Sequence, residues 1–478
     1  MITSERMAAI DRNAEALGVP RRLLMESSGN AVARAVRGVA AEGDQIDIIA
    51  GRGNNGGDGF AAARFLSGFD VKVTLLGHSD RITTDIAAAN WEVVQKGDTP
   101  HTIITDSTSL DGFDGDVIVD AILGTGVRGE IREPLHTAIK QINHSEAQVI
   151  SVDIPSGVDP DTGEDRGSFV DADRVVTFHD RMPAHEHLEV PIIVEDIGIP
   201  TAAERFVGPG DLASVQHRRD DAHKGDFGEI LVIGGGPYVG APALSALASL
   251  RAGADLVHLA IPEVIADAVT SYHPEFIPHR LPGSRLEQGH VERLLEIAEE
   301  VDVVIIGPGL GASNGTMEAI EHMLNALKGP VVVDADALEC LPKTDSKATI
   351  VATPHAGEFE AMGFTRPTSW REGMNIVSDA AQSLDCTIVL KGRNDIISDG
   401  ESTRVNRTGN PGMTTGGTGD VLTGAIGAML ARKDAFEAAC IGTWINGTAG
   451  DLLAEEHPGG YLASEVADAI PFVMMVDD

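Results

Sequence analysis

Two glycine-rich segments, each with an aspartate at or near its end, constrain this chain more than any other feature. They are Gly51-Arg52-Gly53-Asn54-Asn55-Gly56-Gly57-Asp58-Gly59 and Asn410-Pro411-Gly412-Met413-Thr414-Thr415-Gly416-Gly417-Thr418-Gly419-Asp420. Each follows strand-like sequence and runs into helix-like sequence, which predicts an α/β unit around each. At such a junction backbone N–H groups converge on an anion, and glycine admits close approach of the ligand. Two junctions of this kind imply two phosphate-bearing ligands, or one ligand handled twice.

The 478 residues exceed one ordinary core and predict two to three domains. Residues 4–17 and 21–40 have helical apolar spacing, and Ile46-Asp47-Ile48-Ile49-Ala50 reads as a strand entering the first glycine loop. Residues 61–66 continue as a helix, and residues 71–76, 116–120 and 148–152 read as strands. This alternation predicts a parallel sheet covered on both faces, with ligands beyond the carboxyl ends of the strands. Residues 160–220 read as irregular and acidic, so the domain boundary is drawn there, between 212 and 213. A second alternation starts at Ile230-Leu231-Val232-Ile233, with strands expected at 256–261, 302–306, 331–333, 348–351 and 387–390. Helices are expected over 419–432 and 435–453, and no direct repeat relates the halves.

Charge narrows the partners. Asp plus Glu number 73 against 36 Lys plus Arg, a net charge of −37, and only nine of the basic residues are Lys. The negative charge is dispersed, which predicts an acidic surface that repels nucleic acid and anionic membranes. Such a surface suits a salt-rich cell interior, where molar salt shortens screening to ~3 Å. No run approaches the ~18 apolar residues of a membrane span, and Met1 to Arg6 lacks the apolar core of a signal peptide. A cytoplasmic protein, in homo-oligomeric form, is expected. Cys340, Cys386 and Cys440 lie far apart in apolar stretches, which predicts buried reduced thiols and no cysteine zinc site.

The Asn54–Asp58 loop sets two amides and a carboxylate among glycines. Alone it also fits a tight turn in which Asn tolerates left-handed backbone. Two further strand-end motifs weigh against that: Asp120-Ala121-Ile122-Leu123-Gly124-Thr125-Gly126 and Ser151-Val152-Asp153-Ile154-Pro155-Ser156-Gly157. An amide oxygen, a carboxylate and a serine oxygen form a hard-oxygen set suited to an alkali or alkaline-earth cation. The combination resembles the NAD(P)H-hydrate epimerases over roughly residues 1–210. The resemblance implies that Asn54, Asn55, Gly56, Gly57 and Asp58 hold the hydrated dinucleotide together with Gly124, Thr125, Gly126, Val127, Arg128, Gly129 and Glu130. It implies that Asp153 contacts the substrate and that Asn55, Asp120 and Ser156 ligate K⁺. Arg52 departs from the family, which has Pro or Lys there more often. Epimerisation at C6 of the ring, through an iminium or a ring-opened species, needs a group that manages a proton. Asp153 is the candidate; its competing role is to anchor ribose or cap a helix.

Gly416-Gly417-Thr418-Gly419-Asp420 opens a helix whose free N–H groups and dipole would face a phosphoryl group. Asp420 beside that group could accept a proton from an attacking hydroxyl. Lys391-Gly392-Arg393-Asn394-Asp395 follows a strand and offers cations to phosphates, and Gly307-Pro308-Gly309-Leu310-Gly311 and Thr353-Pro354-His355-Ala356-Gly357-Glu358 are further strand-end loops. With His223-Lys224-Gly225 and Gly240-Ala241-Pro242, these motifs resemble the ADP-dependent NAD(P)H-hydrate dehydratases of the ribokinase-like superfamily over roughly 220–478. The resemblance implies that Ala241, Gly309, His355 and Asp420 contact the hydrate. Lys391, Gly392, Arg393, Asn394 and Asp395, with Gly416, Gly417, Thr418 and Gly419, would contact the adenine nucleotide, and Mg²⁺ would accompany it. The resemblance implies ADP as the nucleotide, with ATP as the alternative. Ala356 stands where the family usually has Pro, and Asp395 where Thr is common; Asp395 would bind Mg²⁺ or point into solvent. His355 has a competing reading as a loop-bracing residue.

The expected fold is therefore α/β in two domains: a Rossmann-like three-layer domain over 1–212 and a ribokinase-like domain over 213–478. The expected function is bifunctional repair of hydrated NADH and NADPH, by epimerisation in the first domain and nucleotide-dependent dehydration in the second. Two other readings remain open at this point: a kinase for a vitamin-like alcohol with a regulatory first domain, and a non-catalytic nucleotide sensor.

Overall fold

The computed structural model describes residues 1–126, 129–215, 218, 221–457 and 459–475. The chain divides into two compact units, Met1–Ala203 and Glu204–Asp478. The expected boundary at 212 lies within the second unit. Residues 204–212 join it because Phe206 bridges Val405 and Arg404 closes on Asp211 at 2.5 and 2.9 Å. Both side chains are buried, and removing one partner of such a pair costs about 3–5 kcal/mol.

The first unit holds strands β1 (Gln45–Ala50), β2 (Asp70–Leu76), β3 (His101–Ile104), β4 (Val117–Ala121), β5 (Gln148–Val152), β6 (Arg174–Phe178) and β7 (Ile192–Glu195). They form one parallel sheet in the order β3-β2-β1-β4-β5-β6-β7. The central strands are apolar on both faces because helices cover both: Ile46 and Ile48 pack in one cluster, Ile49 and Ile118 in another. Strand order reverses between β1 and β4, so the loops after these strands diverge and leave a crevice at their carboxyl ends. Residues 160–220 are not irregular throughout, since β6 and β7 lie there. β6 is short and bounded by charge, and β7 is a half-exposed strand at the edge of the sheet, so neither carries a strong periodic signal.

The second unit holds β8 (Glu229–Ile233), β9 (Leu256–Pro262), β10 (Ile277–Leu281), β11 (Val303–Ile306), β12 (Val331–Val333), β13 (Ile350–Ala352), β14 (Thr387–Leu390), β15 (Asp395–Ser398) and β16 (Thr403–Asn406). The order is β10-β9-β8-β11-β12-β13-β14-β15-β16. All pairs are parallel up to β14, and β15 and β16 are antiparallel. The order again reverses between β8 and β11. The Thr418–Leu430 helix runs buried against the sheet, from Val421 to Leu430, beside the Gly240–Arg251 and Ala435–Glu456 helices. Its continuous apolar and small-residue content is that of a helix with no solvent face. The three cysteines are buried and form no disulfide among the described residues, and burial pushes the Cys340 thiol to about 11 and the Cys386 thiol to about 12. Among the described residues no helix is long and apolar enough to cross a membrane.

Candidate functional site

In the first unit, β1 ends at Ala50 and a helix begins at Asn54, capped by Gly53. The turn is tight. A Cβ on Gly56 would lie 2.1 Å from the Gly51 carbonyl oxygen, so the glycine admits backbone rather than ligand. Gly56 and Gly57 are buried accordingly. The loop's polar residues divide between two environments. Asn54 is exposed and its Oδ1 accepts from Thr84 Oγ1 at 2.7 Å. Asn55 is buried, and its Nδ2 donates to the Leu123 carbonyl at 3.0 Å.

A cavity of about 580 Å³ opens at the crevice. Asn54, Asn55, Asp58, Gly124, Thr125, Gly126 and Asp153 line it, so the three strand-end motifs do converge. Gly129 and Glu130 are exposed and do not line it; Val127 and Arg128 lie outside the described residues. Asp11 and Arg21 line it too, and nothing in their sequence surroundings marks them. They come from the two leading helices, whose pattern reads only as amphipathic.

Three carboxyls of this cavity hold protons unusually well. Burial raises Asp58 well above the ordinary value, and the charges of Asp153 and Asp11 add to it. Burial raises Asp153 to about 6, with Asp11 adding and a Thr177 hydrogen bond opposing. Burial likewise raises Asp11 to about 6, against Arg21 and His179. Asp153 sits at φ 68°, a left-handed conformation that costs a non-glycine residue about 1–3 kcal/mol. Two contacts hold it there. Thr177 Oγ1 donates to Asp153 Oδ1 at 3.1 Å, and His185 Nε2 lies 2.8 Å from the Asp153 carbonyl. The Met182 N–H donates to His185 Nδ1, which leaves Nε2 as the protonated nitrogen. Burial lowers the pKa of that imidazole.

Asp120 and Ser156 are fully buried. Asp120 accepts from Ser151 Oγ at 2.7 Å, Ser156 N at 2.8 Å and Ser156 Oγ at 2.5 Å. Burial nonetheless raises its pKa. Ser156 Oγ lies 3.2 Å from the Leu123 carbonyl that Asn55 also reaches, so all three residues belong to one connected set. Asn55 Oδ1 is buried and has no hydrogen-bond partner among the described residues. A buried carboxylate short of positive charge beside an orphaned amide oxygen fits a monovalent cation coordinated by oxygen.

In the second unit two cavities meet at the start of the Thr418–Leu430 helix. Ala241, Gly309, Gly416, Gly417 and Asp420 line one of about 450 Å³, with Tyr238 and Asp336. Lys391, Gly392, Arg393, Asp395, Thr418 and Gly419 line the other, of about 350 Å³. Asn394 lines neither. His355 also lines neither. It caps the Ala356–Ala361 helix, its Nδ1 accepting from the N–H groups of Gly357 and Glu358 at 3.0 and 3.1 Å. Asp395 lines the second cavity and is tied into the turn rather than pointing free into solvent. Its oxygens accept from Gly392 N at 2.9 Å and Asn406 Nδ2 at 3.0 Å, which braces the turn into β15. Burial raises it to about 6.

The charges here form a chain. Lys391 Nζ is 2.8 Å from Asp334 Oδ1 and 3.8 Å from Glu358 Oε2. Burial opposes both charges, but each is held by the other: Lys391 is raised and Asp334 lowered. Thr353 and Thr423 also donate to Asp334, at 2.7 and 2.8 Å. Asp420 is raised to about 7, by burial first and the Asp334 charge second, against Lys391. A carboxyl near 7 at a helix N-terminus can take a proton at neutral pH. Asp334 escaped sequence reasoning because it follows a three-residue strand; its sign is a strained neighbour, Ala335 at φ 51°.

Comparison with known proteins bears on the family and the fold. The NAD(P)H-hydrate dehydratase family matches residues 230–472, and the YjeF-related protein N-terminus family matches residues 21–183. The chain is 44% identical to the bifunctional NAD(P)H-hydrate repair enzyme Nnr of Methanothermobacter thermautotrophicus, over 98% of this chain and 94% of that one. It is 45% identical to the Nnr enzyme of Pyrobaculum aerophilum, over 99% and 98%. Among solved structures, the ADP/ATP-dependent NAD(P)H-hydrate dehydratase of Bacillus subtilis, co-crystallised with ATP and Mg²⁺, is 27% identical. Its TM-score is 0.50, over 56% of this chain and 97% of that one. A ribokinase-like superfamily protein of Enterococcus faecalis is 26% identical with a TM-score of 0.51, over 56% and 95%. The chain belongs to the family of bifunctional NAD(P)H-hydrate repair enzymes.

Proposed function

We propose that this chain restores hydrated NADH and NADPH at two sites, interconverting the R and S hydrates in the first unit and dehydrating the S hydrate in the second. One observation carries the reading. The N-terminus of the Thr418–Leu430 helix separates a cavity containing Asp420 from one containing Lys391 and Arg393. A phosphoryl group moving between a nucleotide and a hydroxyl needs that arrangement: acceptor on one side, donor on the other, free N–H groups between.

Hydroxide leaves poorly, so the second unit converts it. Asp420 takes the proton of the C6 hydroxyl as its oxygen bonds to the terminal phosphorus and the phosphoanhydride bond breaks. The ring-nitrogen lone pair then expels phosphate from C6, and loss of a C5 proton restores the C5–C6 double bond. Lys391, oriented by Asp334, and the N–H groups of residues 416–419 stabilise charge on the migrating group. Mg²⁺ neutralises phosphate charge when bound. Such ions ride mainly on the phosphates, and no cluster of three or more metal-ligating side chains is found among the described residues.

In the first unit Asp153, at about 6, exchanges a proton with the C6 hydroxyl. It takes that proton as the C6–N bond opens and returns it on reclosure, or protonates the hydroxyl as it departs. Burial and the Asp153 and Asp11 charges raise Asp58 beside it, which disfavours a further charge there. Asn55, Asp120 and Ser156 would hold K⁺, whose positive charge would offset the buried Asp120 carboxylate. The acidic surface belongs to the same proposal, as that of a cytoplasmic enzyme in a potassium-rich cell.

Incubation of the S hydrate with ADP or ATP tests the reading. Free phosphate together with the near-ultraviolet absorbance of dihydronicotinamide is expected. A stable phosphomonoester would instead identify a kinase.

A further inference from the structure

The cavity of the first unit runs along the carboxyl edge of its sheet. Asp153 lines it beyond β5, Gly124 beyond β4, Asn54 beyond β1, and Leu76 at the end of β2. β5 and β2 lie three strands apart in the order β2-β1-β4-β5, about 14 Å at ~4.8 Å per strand. An extended dinucleotide covers that separation. With its hydrated ring at Asp153 and its pyrophosphate at the helix that opens at Asn54, its adenosine lies over β2. Dinucleotides take this course across an open parallel sheet whose strand order reverses.

At the end of β2 stands a cation. Arg52 lines the cavity, and its side chain lies along Gly77, the first residue after the strand. Gly77 makes room for it: φ there is 115°, and a Cβ would lie 2.8 Å from Arg52 Cδ. The Arg52 carbonyl accepts from Thr83 N at 2.9 Å and Thr83 Oγ1 at 3.2 Å, which fixes the backbone that carries the side chain. The guanidinium itself makes no hydrogen bond or ion pair among the described residues. Arg21, the other cation lining the cavity, is ion-paired with Glu15 at 3.1 Å. In an open sheet of this order an acid at the end of β2 takes the 2′-hydroxyl of the adenosine ribose, whereas an arginine nearby takes a 2′-phosphate. Here β2 ends in Leu76 and is followed by Gly77, and Asp80 beyond them does not line the cavity. On the epimerase reading of this cavity, we propose that Arg52 selects hydrated NADPH over hydrated NADH, its guanidinium donating to the 2′-phosphate.

Equilibration of the R hydrates of NADPH and NADH by the full chain provides the test, in molar KCl and without ADP or ATP so that dehydration is silent. The wild type should show a kcat/KM roughly 10- to 100-fold higher for the NADPH hydrate, the worth of a charge-assisted bidentate contact. Arg52→Gln should remove most of that advantage, chiefly through KM, while the NADH hydrate reports that the variant is folded and active. Arg52→Lys should restore part of the advantage, as a point charge without the planar fork. Equal wild-type kcat/KM for the two hydrates overturns the inference without requiring any variant. So does an Arg52→Gln protein that slows both hydrates alike, because the arginine would then meet the pyrophosphate that both share. Failure of the wild type to equilibrate either hydrate would overturn the epimerase reading itself.

Discussion

Asp420→Asn should cost the enzyme its dehydratase activity and, at alkaline pH, strengthen its fold. The Asp420 carboxyl rises from 3.8 to about 7 because burial and the neighbouring Asp334 charge disfavour ionisation. A carboxyl raised on folding contributes stability that is complete below its unfolded value and is lost as pH climbs through its folded value. Above about pH 7 the native protein therefore carries an ionised carboxylate where its surroundings resist one. The rise from 3.8 to about 7, at ~1.4 kcal/mol per pH unit, bounds the penalty at ~4 kcal/mol. Partial exposure screens it to about 1–2 kcal/mol. For a unit of this size that corresponds to a melting temperature higher by about 2–8 °C in the variant. Thermal unfolding of both proteins in molar KCl, at about pH 9 and about pH 5, measures it. The gap should be full at the higher pH and shrink to roughly a third at the lower, where wild-type Asp420 is protonated in the folded state but ionised in the unfolded chain. Dehydration should fall by about 10²–10⁴-fold with epimerisation intact. A gap that is independent of pH, or a wild type more stable at the higher pH, refutes the electrostatic reasoning.

The epimerase rate should change through about pH 6, where Asp153 titrates, and Asp153→Asn should abolish that inflection together with most of the epimerase activity. A pH–rate profile of each protein decides it. Gly307→Ala should unfold the second unit or lower its stability by about 3 kcal/mol or more, because φ is 129° and the new Cβ would lie 1.8 Å from the Asp334 carbonyl; denaturant titration reads the loss. Replacing K⁺ by Na⁺ at constant ionic strength should slow epimerisation but not dehydration, and equal rates in both salts would remove K⁺ from the account. The melting temperature should rise from dilute to molar KCl as screening relieves the net charge of −37, whereas an ordinary acidic protein would show little change.

Strands such as β1, β8 and β11 were legible because apolar runs are continuous where both faces of a parallel sheet are covered. β10, reading Ile-Pro-His-Arg-Leu, and β15 and β16 were not, since they form the outer part of the sheet and their burial is set by partners distant in sequence. The site followed the same division. Loops that carry several candidate site residues in one stretch, such as 54–58 and 416–420, announced themselves. Asp11 lines its cavity singly from another element, while Thr177, His185 and Asp334 act on lining residues from behind, and only the fold brings them in. The first glycine loop had a further lesson. Its glycines serve the approach of helix to strand, where Gly56 meets the Gly51 carbonyl, so the same sequence signal arose partly from packing. Asp395 looked like a misplaced charge among phosphate contacts, and it turns out to brace the turn that presents them.

The most direct measurement resolves the R and S hydrates chromatographically during incubation with ADP in molar KCl. The wild type should convert both into NADH. Asp420→Asn should equilibrate the two hydrates and form no NADH, while Asp153→Asn should consume S and leave R behind. An Asp153→Asn protein that clears R as quickly as the wild type, or an Asp420→Asn protein that still yields NADH at the wild-type rate, contradicts the division of labour between the two sites.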